Sequence, residues 1–257
     1  MMNLSLNGHR TLVIGAARGI GAEIVRQCAR AGSRVAWTHL DSEADRMASA
    51  ELMQELDDQG AQAWHQAADC CDEEANALLF SRIGRTWGGL EHLVYCAGFT
   101  SVMPFEQITT QDWRRVVDIN LNGAFLALSM SMPMLKSNKN ASVVLIGSAA
   151  MATGGGGRAD YASAKAGLEG LNRALAKEFG PQGIRCNLLH PSLIDTDLLK
   201  QRHPEAAKRR ELAAQVPLRR LGKAEDVAAI AVFLLSDLAA YITAQSIFID
   251  GGRTCCG

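Results

Sequence analysis

The stretch "TLVIGAARGIGAEIVRQCARAG", residues 11–32, decides the fold of this chain. It opens with a short apolar run typical of a buried strand and continues with apolar residues at helical spacing. Between them lies "GAARGIG", with glycines at positions 15, 19 and 21. Glycine is needed where a backbone turns tightly or approaches a diphosphate, and the N-terminus of a helix attracts phosphate. The order strand, glycine loop, helix therefore predicts a dinucleotide-binding unit.

The rest of the chain repeats this alternation of short apolar runs and longer amphipathic stretches. Nearly all-apolar strands that alternate with helices are typical of a parallel sheet covered on both faces. Since no linker divides the 257 residues, we predict an α/β protein: a single doubly wound Rossmann-type domain, 1–257, with a seven-stranded parallel sheet flanked by helices. The predicted strands are 11–15, 34–40, 61–67, 91–98, 141–148, 183–191 and 246–252, and a long helix is predicted over about 110–135, interrupted near Pro133.

Composition and charge narrow the class of partner. Hydrophobic residues make up 48% of the chain and the formal net charge is −1, so nothing draws it generally to nucleic acid or to an anionic membrane. The first ten residues hold no apolar signal segment, and no apolar run approaches the ~20 residues of a membrane span. The seven cysteines and six histidines show no metal-ligand spacing. We therefore expect a cytoplasmic protein with a small-molecule partner, no metal, no nucleic acid and no membrane.

The end of the second predicted strand bears on the choice between NAD and NADP. The residues there are "WTHLD", 37–41, and His39 stands where an acid would accept from a free adenosine 2′-hydroxyl. Arg18 in the glycine loop and Thr38 would face a 2′-phosphate, although Arg18 could equally be a solvated loop side chain. Asp41 could still reach the ribose. NADP(H) is therefore favoured, and NAD(H) stays open.

Asp69 follows the third predicted strand and has two interpretations. A carboxylate at this point can accept from the adenine amino group of a bound cofactor. It could also be the N-cap of the helix that begins near Asp72. The sequence does not choose between them.

The stretch "GGGGRADYASAKAGLEG", 154–170, places Tyr161 and Lys165 four residues apart, hence on one face of a helix. A free phenol has a pKa near ~10, and a nearby ammonium lowers it. Such a tyrosine can exchange a proton with a carbonyl or alcohol oxygen. We interpret the four glycines as keeping the start of this helix free of bulk, so that cofactor or substrate can approach Tyr161. The pair is a weak motif alone, because it occurs by chance on many helices.

In company with other residues, these motifs resemble the short-chain dehydrogenase/reductase family over essentially the whole chain. The combination is highly specific even though each piece is short. The matching pieces are "GAARGIG", Asp69, "YCAG" at 95–98, Asn120, Ser148, "YASAK" at 161–165, "NLLHPSLIDT" at 187–196 and "IDGG" at 249–252.

The resemblance implies an NAD(P)(H)-dependent oxidoreductase that transfers hydride between nicotinamide and a secondary alcohol or ketone. Tyr161 would be the acid/base, and Ser148 would hold the substrate oxygen. Lys165 would tune Tyr161 and bind the nicotinamide ribose, and Asn120 would keep a helix kink and a proton-relaying water. The residues implied to bind the cofactor are Gly15, Arg18, Gly19, Ile20, Gly21, Thr38, His39, Asp69, Cys96, Ala97, Gly98, Tyr161, Lys165, Pro191, Ile194 and Thr196.

The substrate is predicted from the few side chains expected near the pocket. Phe99 and Phe105 are its expected aromatic residues, and Ser101, Arg158 and Asp160 make it polar, which favours a sugar- or polyol-like substrate. A 3-oxoacyl thioester is the alternative substrate. A non-catalytic nucleotide sensor on the same scaffold is the alternative of another class, but a sensor has no need to keep Ser148, Tyr161 and Lys165 together.

Two further expectations follow from the resemblance. The family places a mobile substrate lid after the sixth strand, at about 193–220 in this chain. The segment 202–223 holds seven basic residues and two acids, so it could attract an anionic substrate or an acidic carrier protein, or be a solvated helix face. Members of the family usually pair through two long helices, and small apolar faces in "FLALSMSM" and "AGLEGLNRALA" suit such packing, so we expect a homotetramer.

Overall fold

The computed structural model describes residues 4–155 and 158–254. Within them, seven strands form one parallel sheet: β1 Arg10–Ile14, β2 Arg34–His39, β3 Ala63–Ala67, β4 His92–Tyr95, β5 Ser142–Ile146, β6 Arg185–Pro191 and β7 Ser246–Ile249. Their order is β3-β2-β1-β4-β5-β6-β7. The order reverses between β1 and β4, and the carboxyl ends of these two strands flank the crevice where such sheets bind ligands. The predicted fold class is confirmed.

Helices cover both faces of the sheet: α1 Gly19–Arg30, α2 Glu43–Asp58, α3 Glu73–Trp87, α4 Thr110–Val117, α5 Gly123–Lys136, α6 Ala150–Thr153, α7 Ala159–Phe179, α8 Asp197–Arg202, α9 Ala206–Gln215 and α10 Ala224–Leu235. One apolar core lies under α3, α5 and α7, which contribute Leu79, Leu128 and Leu168. The other lies under α1 and α10, which contribute Ile24 and Val232. Among the described residues, no helix is long and apolar enough to cross a membrane.

The start of α1 differs from the starts of the three helices that follow it. Ser42, Asp72 and Thr109 cap α2, α3 and α4 by accepting from backbone N–H groups of the first turn. In the described part of the chain, α1 has no side-chain cap and no acid in its first turn. Its first N–H groups therefore stay available to an acceptor from outside, as a diphosphate site requires.

The predicted long helix is broken at a different place from the one expected. Pro133 lies inside α5, whereas the break is a wide π-helical turn at Asp118–Asn122, between α4 and α5. A proline inside a helix lacks one N–H and leaves one carbonyl without its helical hydrogen bond, which a neighbouring side chain can satisfy. The wide turn instead changes the hydrogen bonds of a whole helical turn, and therefore it divides the helix.

Two side chains satisfy carbonyls at this wide turn. The Asn120 amide donates to the Val116 carbonyl at 2.9 Å, and the Tyr95 hydroxyl at the end of β4 donates to the Ile119 carbonyl at 2.6 Å. A Cβ at Gly123 would collide with that hydroxyl, so glycine permits the contact. The turn is thus tied to the carboxyl edge of the sheet. In the glycine run before α7, Gly156 and Gly157 lie outside the described residues, and the interpretation of that run stays a prediction.

Candidate active site

A cleft of about 1510 Å³ opens at the carboxyl ends of the strands. Every residue predicted for catalysis or cofactor binding lines it except Asn120, which is buried behind its wall. The fold thus brings together side chains that lie up to 181 positions apart, from Gly15 to Thr196. This grouping agrees with the ligand position expected at the reversal of strand order.

The glycine loop is shaped by contacts that a side chain would block. At Gly15, which has φ of +79°, a Cβ would lie 2.6 Å from the Cα of Ala97. At Gly21 it would lie 2.5 Å from the Gly15 carbonyl oxygen. At Gly19 it would make only an ordinary contact, 3.6 Å from the Thr196 methyl group, but the φ of +61° favours glycine. The loops after β1, β4 and β6 therefore meet around the uncapped start of α1. These residues fit the diphosphate of a dinucleotide.

Lys165 is a buried ammonium at the centre of the cleft wall. Its Nζ donates to the Ile146 carbonyl at the end of β5 at 2.8 Å and lies 5.8 Å from the centre of the Tyr161 ring. A Cβ at Gly98 would lie 3.4 Å from that Nζ, so glycine leaves room for it. Burial lowers the pKa of Lys165 to about 8.

The pKa of the Tyr161 hydroxyl is shifted in the opposite direction from the one expected. Burial raises the pKa of its hydroxyl, while a hydrogen bond with Ser148 and the charge of Arg202 act in the opposite direction. The expectation that Lys165 lowers this pKa is wrong for the cofactor-free protein. Removing water from the phenolate outweighs the cations nearby, and the Lys165 Nζ is engaged by the Ile146 carbonyl.

The backbone at Ser148 is held by a buried chain of hydrogen bonds behind the cleft. The His190 ring accepts from the Ser148 N–H through Nδ1 at 3.1 Å, and its Nε2 donates to Glu169 at 2.8 Å. The same ring stacks on Phe248 with centroids 4.9 Å apart. His190 does not line the cleft, so it orients the backbone at Ser148 and has no direct reach to a substrate. Sequence reasoning missed Glu169, since nothing in its spacing links it to Ser148.

Asn120 ties the wide helical turn to the loop after β4. Its Nδ2 donates to the Phe99 carbonyl at 2.8 Å as well as to Val116, and its Oδ1 would lie 3.1 Å from a Cβ at Gly98. The side chain therefore fixes the backbone on which Phe99 lines the cleft. The relay water implied for Asn120 stays a prediction.

Arg158 and Asp160 form a buried ion pair at the start of α7, with side chains 2% and 0% exposed. Asp160 also accepts from the N–H of Tyr161 at 2.7 Å, and Arg158 donates to Ser101 at 2.8 Å. These three polar residues do not line the cleft, and Phe105 is exposed outside it. Their predicted place in the pocket is therefore wrong: they satisfy one another and anchor the turn that carries Tyr161.

At the adenosine end, His39 and Thr38 are already engaged. The His39 ring donates from Nδ1 to the Leu40 carbonyl at 2.9 Å and accepts from His65 at 2.9 Å. The Thr38 hydroxyl accepts from the Gly15 N–H at 3.0 Å. Both residues line the cleft, but His39 has no ring nitrogen left for a phosphate. In this geometry His39 gives no hydrogen bond to a 2′-phosphate.

Arg18 lines the cleft and is paired with an acid that sequence reasoning missed. Its guanidinium lies 2.5 Å from a carboxylate oxygen of Asp45, and the two side chains are 48% and 12% exposed. Asp41 is 71% exposed, pairs with Arg46 and does not line the cleft. The spacing of Ser42 and Asp45 signals the first turn of a helix, but only the fold shows that this turn faces Arg18.

Asp69 lies in the cleft and is not a helix cap. Asp72 caps α3, while Asp69 accepts from the Cys71 N–H at 2.9 Å. The N-cap interpretation of Asp69 is therefore wrong. The sulfur atoms of Cys70 and Cys71 lie 3.9 Å apart, and both line the cleft beside Asp69, with donor atoms of all three within 4.8 Å of one another. The absence of a metal stays a prediction.

The buried charge of Lys165 predicts a stability effect with a definite pH dependence. In the unfolded chain a lysine has a pKa near ~10.4, so folding to a pKa of about 8 penalises the charged form. The penalty is complete below pH 8 and is lost as the pH rises from 8 to about 10, because the folded protein then releases its proton first. We expect Lys165→Met to raise the unfolding free energy of the cofactor-free protein at pH 7 by up to about 3 kcal/mol.

Urea titrations from pH 6 to 10 measure this effect, with the exposed Lys177 on the same helix as control. Lys177→Met should change stability by less than about 0.5 kcal/mol at every pH. Loss of the bond to the Ile146 carbonyl reduces the gain from Lys165→Met, but not its decline with pH. A destabilisation by Lys165→Met that is the same at pH 7 and pH 10 would contradict the assignment.

The chain is similar in sequence to a known protein family and to individual known enzymes. A family described as enoyl-(acyl carrier protein) reductase matches residues 15–254. The chain is 34% identical over 242 residues to L-rhamnose 1-dehydrogenase (NAD(P)(+)) of Azotobacter vinelandii, covering 94% of each chain. It is 36% identical over 250 residues to the 3-oxoacyl-(acyl-carrier-protein) reductase FabG of Pseudomonas aeruginosa, covering 97% of this chain and 98% of that one.

Among solved structures, a short-chain type dehydrogenase/reductase from Mycobacterium ulcerans matches with a TM-score of 0.90 and 30% identity, over 98% of this chain and 91% of that one. Similarity of sequence and of fold therefore extends over nearly the whole chain. Because these matches accompany a cleft that gathers Ser148, Tyr161 and Lys165 beside a glycine loop, the chain belongs to the short-chain dehydrogenase/reductase family and is an oxidoreductase that uses a nicotinamide cofactor.

Proposed function

We propose that this enzyme interconverts a secondary alcohol and its ketone, with Tyr161 as acid/base and Ser148 as the group that holds the substrate oxygen. The observation that carries the proposal is the common position of three side chains, Ser148, Tyr161 and Lys165, on the wall of one cleft. The Ser148 side chain acts on the Tyr161 hydroxyl by lowering its pKa. One substrate oxygen can therefore meet a hydrogen-bond donor and a proton donor together.

When bound, the nicotinamide supplies the hydride for reduction or accepts it in oxidation. In reduction, the Tyr161 hydroxyl gives its proton to the developing alkoxide while the Ser148 hydroxyl donates a hydrogen bond to the same oxygen. The raised pKa of Tyr161 keeps this proton in place until the alkoxide forms. Below about pH 8, Lys165 carries a positive charge in the cleft wall, and its proposed role is to bind the ribose of the nicotinamide.

A sugar- or polyol-like molecule is the proposed substrate. The expectation from Ser101, Arg158 and Asp160 does not support it, but other polar residues do: Thr100, Gln111, Thr153 and Gln201 line the cleft. The similarity to L-rhamnose 1-dehydrogenase of Azotobacter vinelandii adds support. A 3-oxoacyl thioester is the second candidate, favoured by the similarity to FabG. Cofactor absorbance with sugars, polyols and 3-oxoacyl esters separates the two.

The segment 193–220 is the proposed lid over this cleft. It contains α8 and α9, and within the described residues α9 buries no side chain. Leu198, Arg202 and Leu212 from this segment line the cleft, so its position bears on the access of substrate to the site.

The cytoplasm stays the proposed location of the enzyme, on the sequence grounds alone.

NADP(H) is the proposed favoured cofactor, with NAD(H) also accepted. One support for NADP(H) is Arg18 on the cleft wall. The other is the last residue of β2, which is His39 and not an acid. Asp45 reduces the preference, because it neutralises Arg18 and would repel a 2′-phosphate. Its carboxylate can instead accept from a free 2′-hydroxyl. The Arg18–Asp45 pair therefore makes the preference moderate.

A homotetramer is the proposed assembly. Phe125 on α5 is 61% exposed, and α7 presents the small exposed residues Gly170 and Ala174. An exposed phenylalanine and small exposed residues suit close helix packing across a two-fold axis. The edge strand β7 offers a second face, on which Phe248 is partly exposed.

Tyr161→Phe should lower kcat by a factor of ~10² to 10⁴, because it removes the proton donor and leaves the ring in place. Cofactor affinity should stay within twofold of the wild-type value. Tyr241→Phe is the matched control, since Tyr241 is fully exposed and should leave kcat unchanged. A Tyr161→Phe enzyme that keeps more than half of the wild-type kcat would exclude Tyr161 as the acid/base.

Asp45→Asn should shift the ratio of NADPH to NADH affinity about tenfold toward NADPH, because it frees Arg18 and removes a negative charge. Arg18→Met should weaken NADPH binding about tenfold to a hundredfold and change NADH binding little. Fluorescence titration of both reduced cofactors measures these changes. Asp41→Asn is the control and should change neither affinity. Tighter binding of NADH than NADPH by the wild-type protein would show that the cofactor proposal is wrong.

Phe125→Glu should split the tetramer into smaller species, because a carboxylate would be buried without a partner at the proposed interface. Leu78→Glu on α3 is the control, since Leu78 is 59% exposed on another face and should leave the assembly intact. Light scattering at micromolar concentration measures both. A wild-type protein that is monomeric under these conditions would contradict the proposal.

A further inference from the structure

Four of the seven basic side chains in segment 202–223 have partners within the protein. Two of them pair with acids, and two donate to backbone carbonyls. Lys208 pairs with Glu211, Arg220 pairs with Asp226, Arg209 donates to the carbonyls of His203 and Pro204, and Arg219 donates to the Ala214 carbonyl.

Of the three basic side chains that remain, Arg202 lines the cleft, whereas Arg210 and Lys223 do not. Arg202 ends α8 and lines the cleft together with Tyr161. Its Nε is sealed from water and has no hydrogen-bond acceptor among the residues that the structure describes, and no ion pair to Arg202 occurs there either. A buried cationic N–H without an acceptor is unfavourable, so such a group is normally matched by a ligand or a partner.

Arg202 and Tyr161 line the same cleft. The positive charge of Arg202 opposes the burial that raises the pKa of the Tyr161 hydroxyl. An anion bound to this guanidinium would therefore belong to the molecule that reacts at Tyr161. At the adenosine end of the cleft, Arg18 is already paired with Asp45.

We propose that Arg202 binds a carboxylate of the substrate, and that the enzyme acts on secondary alcohols or ketones that carry one, such as hydroxy acids and sugar acids. This rests on the proposed function, whose substrate class it narrows. A guanidinium matches a carboxylate in charge and in planar, two-pronged shape. A neutral polyol would leave the charge unmatched.

The experiment compares substrates that differ in this one group: gluconate with sorbitol, and lactate with lactamide. kcat/KM is measured for wild type, Arg202→Met, Arg202→Lys and Lys200→Met. Lys200 is the matched control, because it lies exposed on the same helix and carries the same charge. Arg202→Met should lower kcat/KM for the carboxylates about tenfold to a hundredfold more than for their neutral partners. Arg202→Lys should restore part of the preference for carboxylates over their neutral partners, and Lys200→Met should keep all of that preference.

Two kinetic results would overturn the proposal. One is a wild-type enzyme that uses the neutral partners as well as the carboxylates. The other is an equal loss on both members of each pair in Arg202→Met, accompanied by a shifted pH profile, which would mean that Arg202 acts on Tyr161 and not on the substrate. Equal melting temperatures of the variants exclude a folding defect as the cause.

A binding measurement separates failure of this proposal from failure of the proposed function. Calorimetry follows tartrate, a hydroxylated dicarboxylate, binding to the NADP⁺ complex of Tyr161→Phe with and without Arg202→Met. Binding that weakens at least tenfold when Arg202 is removed supports the carboxylate site even if no alcohol is oxidised. Absence of tartrate binding to either protein contradicts it, whereas turnover of neutral alcohols alone would leave the proposed function standing.

Discussion

The burial of the Lys165 ammonium is the constraint on which the rest of the site depends. A charge can be held there only because the Ile146 carbonyl at the end of β5 accepts from it and because Gly98 leaves it room. Burial that lowers its pKa to about 8 is a cost to the folded protein, which the two apolar cores must offset. Stability is thus given up at the centre of the cleft, as is common where a fold carries a reactive group.

Around this lysine, polar groups that would otherwise be unpaired hold neighbouring parts of the site in position. The wide turn at Asp118–Asn122 alters the ladder of helical hydrogen bonds. Tyr95 fastens it to the sheet edge through the Ile119 carbonyl, and Asn120 fastens it to the loop after β4 through the Phe99 carbonyl. The ion pair of Arg158 and Asp160 likewise anchors the turn before Tyr161. Side chains that contact no substrate therefore fix the geometry in which proton transfer takes place.

The two ends of the cleft differ in how their charge is balanced. At the adenosine end, Arg18 is paired with Asp45, so a phosphate must compete with a carboxylate. At the substrate end, Arg202 has no such partner among the described residues and keeps its full attraction for an anion. A sum of charges along the chain conceals this contrast, because pairing depends on distances that the fold alone creates.

The alternation of apolar strands and helices determined the sheet, and "GAARGIG" together with Tyr161 and Lys165 indicated the cofactor and catalytic positions, because these signals lie in local spacing. Only the tertiary structure brought Asp45 to Arg18, Glu169 to His190, and Arg202 to Tyr161, since partners distant in sequence share no local pattern. It also moved Arg158 and Asp160 from the expected pocket into a buried pair. Local periodicity determines which elements form, whereas charge pairing and burial are set by how those elements pack.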